Sequence, residues 1–343
     1  NPGHSVSIGI YLCISNAYFA IVAYLCWHGF GEAPDHVCHS VAALFMFCIP
    51  VHIYISWHLH KGCAGDLAPI ARFWDLPVSP AGAAELEQVN ATAKQGPFLA
   101  LTTLALNVYY WHFETFEAGT PGIYAASVLT GAPVLVFAQA LQGVSVSCAV
   151  VSRDMIRQAT RKLRALPRRA VTETKSGADA AATAPTWDYA ATMAEVYRLT
   201  ADLVPLCQDT TNGMLVPQSL AVLFLGAMFT FLGATNAAGS ISVSIALQIY
   251  AVSNYYGAFA FLAGPMGVSD ALIDLMNAAT AVRVAVSIEQ AGEVDQLMCY
   301  LREQNGLHGP AYMIGGRPFT PSLFYSAAVT VVTGAAGAFI SSV

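Results

Sequence analysis

The sequence has little charge: 10% of its 343 residues are Asp, Glu, Lys or Arg, whereas 56% are apolar. A typical soluble domain is about 25% charged, so this composition argues against a soluble enzyme. Fifteen Lys and Arg against 21 Asp and Glu give a net charge of −6, which argues against the broadly basic surface of a nucleic-acid-binding protein. A mean hydropathy of +0.54 instead favours a chain that lies in a lipid bilayer.

The apolar residues form seven runs, and we interpret each run as a membrane-spanning helix. A span needs about 20 apolar residues to cross roughly 30 Å of hydrocarbon, and every run except the third reaches that length. The sequence lacks the basic segment that precedes the apolar part of a cleavable signal peptide. The seven runs are 6–27, 37–57, 98–111, 121–151, 216–235, 240–264 and 319–343.

The loops between these runs differ in basic charge, and the difference predicts an orientation. Basic residues close to span ends favour the cytoplasmic side of a membrane. The sequence therefore predicts an N-terminus inside and a C-terminus outside. The loops 28–36, 112–120 and 236–239 hold no Lys or Arg, whereas all 15 of these residues lie in 58–97, 152–215 and 265–318.

The long inner segments carry apolar residues at helical spacing between their charges. We predict a helix over 153–166 that ends before Pro167, a flexible linker at about 170–186, and cytoplasmic helices that pack together as an anchor region. Helices that lie on the bilayer surface are the open alternative. The chain then divides into spans one to four (1–151), cytoplasmic helices with the linker (152–215), spans five and six (216–264), anchor helices (265–318) and a final span (319–343).

Small and hydroxyl side chains form one stripe along the final span. The stripe consists of Ser326, Thr330, Thr333, Gly337 and Ser341, at steps of 4, 3, 4 and 4 residues, which lie on one helix face. Several copies of such a helix around an axis could line a narrow wet pore. Small residues at this spacing are also typical of close packing between membrane helices, and hydroxyls can bond their own backbone.

From residue 278 onward, the chain resembles the C-terminal part of insect gustatory and odorant receptors. The segments that carry the resemblance are VAVSIEQAGEVDQLMCYLREQN and AYMIGGRPFTPSLFYSAAVTVVTGAAGAFISSV, and 187–231 also resembles the family pattern. The family's last helix ends shortly after Thr-Tyr, five apolar residues and Gln-Phe. Here Thr333 matches the Thr, Gly334 replaces the Tyr, and Ile340 and Ser341 replace the Gln and Phe. The chain thus resembles a distant member.

The resemblance implies an all-α, seven-transmembrane helical bundle that forms a homotetrameric, ligand-gated cation channel in the plasma membrane. In the family, the last helices of four subunits line a central pore, and the positions of Gly337 and Ile340 face its outer mouth. Ile340 in place of Gln suggests a hydrophobic ring that gates by dewetting. Together with the stripe, this gives Ser326, Thr330, Thr333, Gly337, Ile340 and Ser341 as the expected pore lining.

The resemblance also implies a pocket for a small organic ligand in the outer half of each subunit, between spans two and six. Aromatic walls with a few polar groups suit such a ligand, whereas the same rings are also typical of packing and of interfacial belts. The candidate lining residues are Asn107, Tyr110, Trp111, Tyr124, Gln139, Phe229, Phe231, Gln248 and Tyr250.

Other classes of membrane protein remain open alternatives. A non-conducting seven-span receptor or scaffold has the same pattern, whereas a transporter would favour charged groups in mid-span, which the runs lack. An intramembrane metal hydrolase is disfavoured because one metal ion cannot bind both pairs of histidines. His36 and His39 lie roughly 30 Å along the helix from His58 and His60. We expect no catalytic residues, metal or cofactor, and no nucleic-acid partner. A disulfide between Cys26 and Cys38, which flank the first outer loop, stays open.

Overall fold

A computed structural model describes residues 2–29, 33–65, 75–91, 98, 121–175, 189–207, 215–236, 241–285, 288–303, 313–314, 317–318 and 320–342. This part of the chain is almost entirely helical, as the sequence predicts. The helices are α1 (Pro2–His28), α2 (Asp35–Gly65), α3 (80–91), α4 (Pro121–Lys175), α5 (Tyr189–Cys207), α6 (Leu215–Thr235), α7 (Ile241–Ala285), α8 (Ile288–Glu303) and α9 (Pro321–Ser342). A two-residue antiparallel pair, β1 (Met313–Ile314) and β2 (Arg317–Pro318), precedes α9.

Four of the described helices are long and apolar enough to cross a membrane. The segments are Gly9–His28, Asp35–Tyr54, Ala125–Leu166 and Ile241–Ala285, and Ser219–Thr235 is a shorter apolar helix. The four spans agree with the predicted runs one, two, four and six, and the shorter helix agrees with run five. The third predicted run, 98–111, lies outside the described residues except for Phe98.

The described helices enclose two large apolar cores, besides a small cluster of Phe19, Cys48 and Val134. The first core joins α1, α2, α6 and α7 beside the α1–α2 and α6–α7 connections, and includes Leu247, which has no exposed surface. The second core joins α4, α5, α7 and α8, and includes Ile156, Leu163, Leu203 and Leu275, again with no exposed surface. Helices from both predicted inner segments therefore pack against one another in this second core.

The helix α4 continues past Pro167 to Lys175, so the prediction that it ends before that proline is wrong. Proline removes one backbone hydrogen bond and normally stops a helix. Arg, Ala, Glu and Lys on either side of Pro167 are good helix formers, and their preference favours continuation. The first six residues of the predicted linker, 170–175, are therefore helical, and 176–186 lies outside the described residues.

Candidate functional site

Three aromatic rings from different helices meet inside the first core. Phe229 of α6 stacks on Tyr250 of α7 with ring centroids 5.4 Å apart, and Phe45 of α2 lies 6.2 Å from Phe229 and 6.3 Å from Tyr250. We call these three residues the aromatic cluster. Phe229 and Tyr250 are among the pocket residues that the sequence predicts, whereas Phe45 is not, although α2 is one of the expected pocket helices.

Of the other proposed pocket residues, only Phe231 and Gln248 have described side chains, and neither belongs to the aromatic cluster. Phe231 lies on the outer surface of α6 with 49% exposure, whereas Phe229 is only 3% exposed. Gln248 lies on the α6–α7 contact, where its side-chain amide donates to the carbonyl of Thr230 at 3.1 Å. Asn107, Tyr110 and Trp111 lie outside the described residues, and for Tyr124 and Gln139 the description covers the helix α4 but not the side chains.

A polar seam joins α6 to α7 beside the aromatic cluster. The Ser244 hydroxyl donates to the carbonyl of Gly233 at 2.6 Å. Thr230 Oγ1 donates to the carbonyl of Gly226 at 2.8 Å and lies 3.1 Å from the Tyr255 hydroxyl. Because the single Thr230 proton is already used, the Tyr255 hydroxyl donates to Thr230.

Two glycines let the helices come this close. A Cβ atom on Gly233 would lie 2.6 Å from Gln248 Nε2, and one on Gly226 would lie 2.9 Å from Tyr255 Cε1. Small residues at such positions allow membrane helices to approach and to hydrogen-bond across their interface. The seam therefore fixes α6 and α7 as one unit that carries two of the three cluster rings.

The final helix α9 packs on this unit from outside. Its described contacts are mainly with α6, and Phe324 also meets Phe259 of α7 with centroids 5.8 Å apart. The described members of the predicted pore lining are all exposed: Ser326, Thr330, Thr333, Gly337 and Ile340, the last at 75%. The side chain of Ser341 lies outside the description.

The stripe on α9 satisfies part of its hydrogen-bonding capacity within the helix. Thr330 Oγ1 donates to the carbonyl of Ser326 at 2.9 Å, the backbone bonding that the sequence analysis left as an alternative. The Thr330 oxygen keeps its ability to accept. A Cβ atom on Gly334 or Gly337 would meet no atom of the described residues within 4 Å, so packing among those residues does not require glycine at either position.

The histidine and cysteine positions show structural contacts. His39 stacks on Trp27 with centroids 3.9 Å apart. Cys26 and Cys38 are both buried in the first core and no disulfide joins them; the Cys38 thiol donates to the carbonyl of Ala33 at 3.6 Å. Among the residues that the structure describes, no group of three His, Cys, Asp or Glu side chains is arranged to hold a metal ion.

No protein-family model matches the chain, and no curated protein matches it.

Proposed function

We propose that the protein is a gustatory-receptor-like, ligand-gated cation channel of the plasma membrane and not an enzyme. In this proposal it has seven spans, an inner N-terminus and an outer C-terminus, and it assembles as a homotetramer around α9. The observation that carries the proposal is the exposed hydroxyl and glycine stripe on α9, the helix that packs on the outside of the α6–α7 unit.

The contrast between α9 and the α6–α7 seam supports an assembly of several chains. Along the seam, hydroxyl, amide and glycine positions are used in contacts between helices of the same chain. On α9, the same residue types are exposed, and a Cβ atom on Gly334 or Gly337 would meet no atom of the described residues within 4 Å. Polar groups are costly against hydrocarbon, and copies of α9 around a water-filled axis would give the stripe a polar environment.

The aromatic cluster is the proposed binding site for a small organic ligand. It offers apolar rings with the Gln248 amide and the Tyr255 hydroxyl on the adjoining seam, a mixture that suits such ligands. Two of the rings belong to α6 and α7, and α9 packs against α6. A ligand that changes the spacing of Phe229 and Tyr250 would therefore act on the helix that supports the proposed pore lining.

The first test is the number of subunits. We expect purified particles to contain four copies, with α9 nearest the symmetry axis, because one polar stripe cannot enclose water alone. A particle that contains one copy would contradict the channel.

The second test is the conductance of Ile340→Gln, which replaces an exposed apolar side chain at the proposed outer mouth. We expect the resting current to rise several-fold because a polar ring stays wet where an isoleucine ring does not. The matched control is Ile245→Gln, the same change at a position of α7 that is also exposed, at 54%. Equal currents in the two variants, at equal surface expression, would count against pore lining by α9.

A further inference from the structure

The segment 75–91 is held against α4 by polar contacts that converge on Asp154. This carboxylate is 5% exposed. Its Oδ2 accepts from the backbone N–H of Ser79 at 2.7 Å, and its Oδ1 accepts from the Ser79 hydroxyl at 2.6 Å. One turn along α4, Gln158 Nε2 donates to Asp154 Oδ2 at 3.0 Å and to the carbonyl of Pro77 at 3.1 Å. We call these contacts the clamp.

Two further features tighten the clamp. Arg153 of α4 pairs with Glu85 of α3, which adds an ionic contact one turn into the docked helix. A Cβ atom on Gly82 would lie 2.6 Å from Asp154 Cγ, so α3 reaches α4 at this distance only because residue 82 is glycine.

Ser79 is also the N-cap of α3. The Gly82 N–H donates to the Ser79 hydroxyl oxygen at 3.2 Å, and the Ala83 N–H donates to its carbonyl at 2.8 Å. Pro80 follows at the first helical position, where a missing N–H costs nothing. The start of α3 and its attachment to α4 therefore depend on the same hydroxyl.

The residues around Ser79 form a pattern that proline-directed protein kinases recognise. A hydroxyl residue followed directly by proline, with a second proline two positions before it, is present in Pro77-Val78-Ser79-Pro80. Both prolines are exposed and Ser79 is half-buried. The pattern, the engaged hydroxyl and the buried carboxylate opposite it are three separate observations on one residue.

We propose that Ser79 is a phosphorylation site for a proline-directed kinase, and that its modification opens the clamp. This inference rests on the proposed orientation, which puts 75–91 in the cytoplasm with ATP. The Ser79 oxygen attacks the γ-phosphorus of ATP, an O–P bond forms, the bond to ADP breaks so that ADP leaves, and the catalytic base of the kinase takes the hydroxyl proton. Oγ then has no proton to donate, and a group with nearly two negative charges faces the Asp154 carboxylate. Like charges repel at such a distance, so α3 leaves α4.

The kinase needs access to a segment that the clamp holds. Phosphorylation then proceeds from a transiently released segment, and its rate follows the population of that open form when opening is faster than modification. Loosening the clamp should therefore speed the modification of Ser79.

A second site in the chain provides an internal control. Pro318-Phe319-Thr320-Pro321 has the same pattern, and Thr320 likewise caps α9, since the Leu323 N–H lies 3.4 Å from its hydroxyl oxygen. The described partner of the Thr320 hydroxyl is Ser322 at 2.9 Å, rather than a carboxylate. A kinase that acts on both sites should therefore respond to the clamp only at Ser79.

The test treats the purified full chain in lipid nanodiscs with a proline-directed kinase and ATP, and follows both sites by mass spectrometry. We expect Asp154→Asn to raise the initial rate at Ser79 about tenfold, because it weakens hydrogen bonds to a charged group, and to leave the Thr320 rate unchanged. Gly82→Ala should act similarly through a clash and without a change of charge. Equal Ser79 rates in the parent and in both variants would overturn the role of the clamp, and no Ser79 modification in any of them would overturn the site.

Amide hydrogen exchange gives a readout of the opening itself. After phosphorylation, exchange over 75–91 should become faster while exchange in α5 stays the same, and Ser79→Ala treated with kinase should show no such change. Unchanged exchange over 75–91 in the phosphorylated chain would overturn the release of α3. These measurements need no ionic current, so their failure would be distinguishable from failure of the channel proposal.

Discussion

At the scale of single residues, Phe229 occupies a buried position and Phe231 an exposed position on the same helix. We expect Phe229→Ala to lower the free energy of unfolding by about 3–5 kcal/mol, because it removes a ring that is 3% exposed and packed against Phe45 and Tyr250. Phe231→Ala should have a much smaller effect, since that ring is 49% exposed. Thermal unfolding of the two purified variants in the same detergent checks the difference, and equal losses would contradict the burial of the aromatic cluster.

The same pair shows what the sequence could and could not predict about the site. The sequence predicts both phenylalanines as pocket residues because both are aromatic and lie in the fifth run. Residues two positions apart on a helix lie about 200° apart, so periodicity alone could have separated them. The sequence did not indicate which of the two faces inward, because α6 is apolar on all sides; that required the contacts with α2 and α7.

Gly233 is the residue at which the α6–α7 seam is most sensitive to added volume. We expect Gly233→Ala to destabilise the protein by about 1–3 kcal/mol, because its Cβ would lie 2.6 Å from Gln248 Nε2 and displace the bond to Thr230. Gly257→Ala on α7 is the control, since its Cβ would meet Val222 at an ordinary 3.7 Å. Thermal unfolding compares them, and a Gly233→Ala protein as stable as the control would show that the close approach is not required.

At the scale of elements, the second core depends on one face of α4. We expect Leu163→Ala to cost about 2–5 kcal/mol because Leu163 has no exposed surface among α4, α5, α7 and α8. Leu129→Ala makes the same chemical change on the same helix at a position that is 73% exposed, and it should change stability little. Denaturation followed by circular dichroism measures both variants. A loss at Leu163 no larger than at Leu129 would contradict the packing of this core.

Element prediction succeeded where one physical signal dominated. Long apolar runs predicted α1, α2, α4, α6 and α7, because a stretch of about 20 apolar residues has few alternatives to a buried helix. The clamp was not predicted, because Ser79 and Asp154 are separated by 75 positions and neither stands out as a residue type. The extension of α4 past Pro167 was missed for a different reason: local propensity on both sides outweighed one lost hydrogen bond.

At the scale of the whole molecule, α4 and α7 are too long to be membrane spans along their full length. Their 55 and 45 residues correspond to about 80 and 70 Å at 1.5 Å per residue, against roughly 30 Å of hydrocarbon. The helix α7 belongs to both cores, and both helices contribute to the second core, which contains Leu163 of α4 and Leu275 of α7. The second core also lies among the basic residues, such as Arg153 and Arg283, that predict the cytoplasmic side.

The orientation can be tested at Asn90, which begins the glycosylation sequon Asn90-Ala91-Thr92 and is exposed on α3. Burial would therefore not protect this residue from glycosylation if it lay outside the membrane. With the N-terminus inside, we expect no glycan on protein made in eukaryotic cells, and hence no change in electrophoretic mobility after endoglycosidase treatment. A sequon on a flexible linker appended after Val343 is the positive control and should be glycosylated. A glycan that Asn90→Gln abolishes would show that the orientation is the opposite one, and because Ser79 caps α3, it would place that hydroxyl outside the compartment that holds ATP.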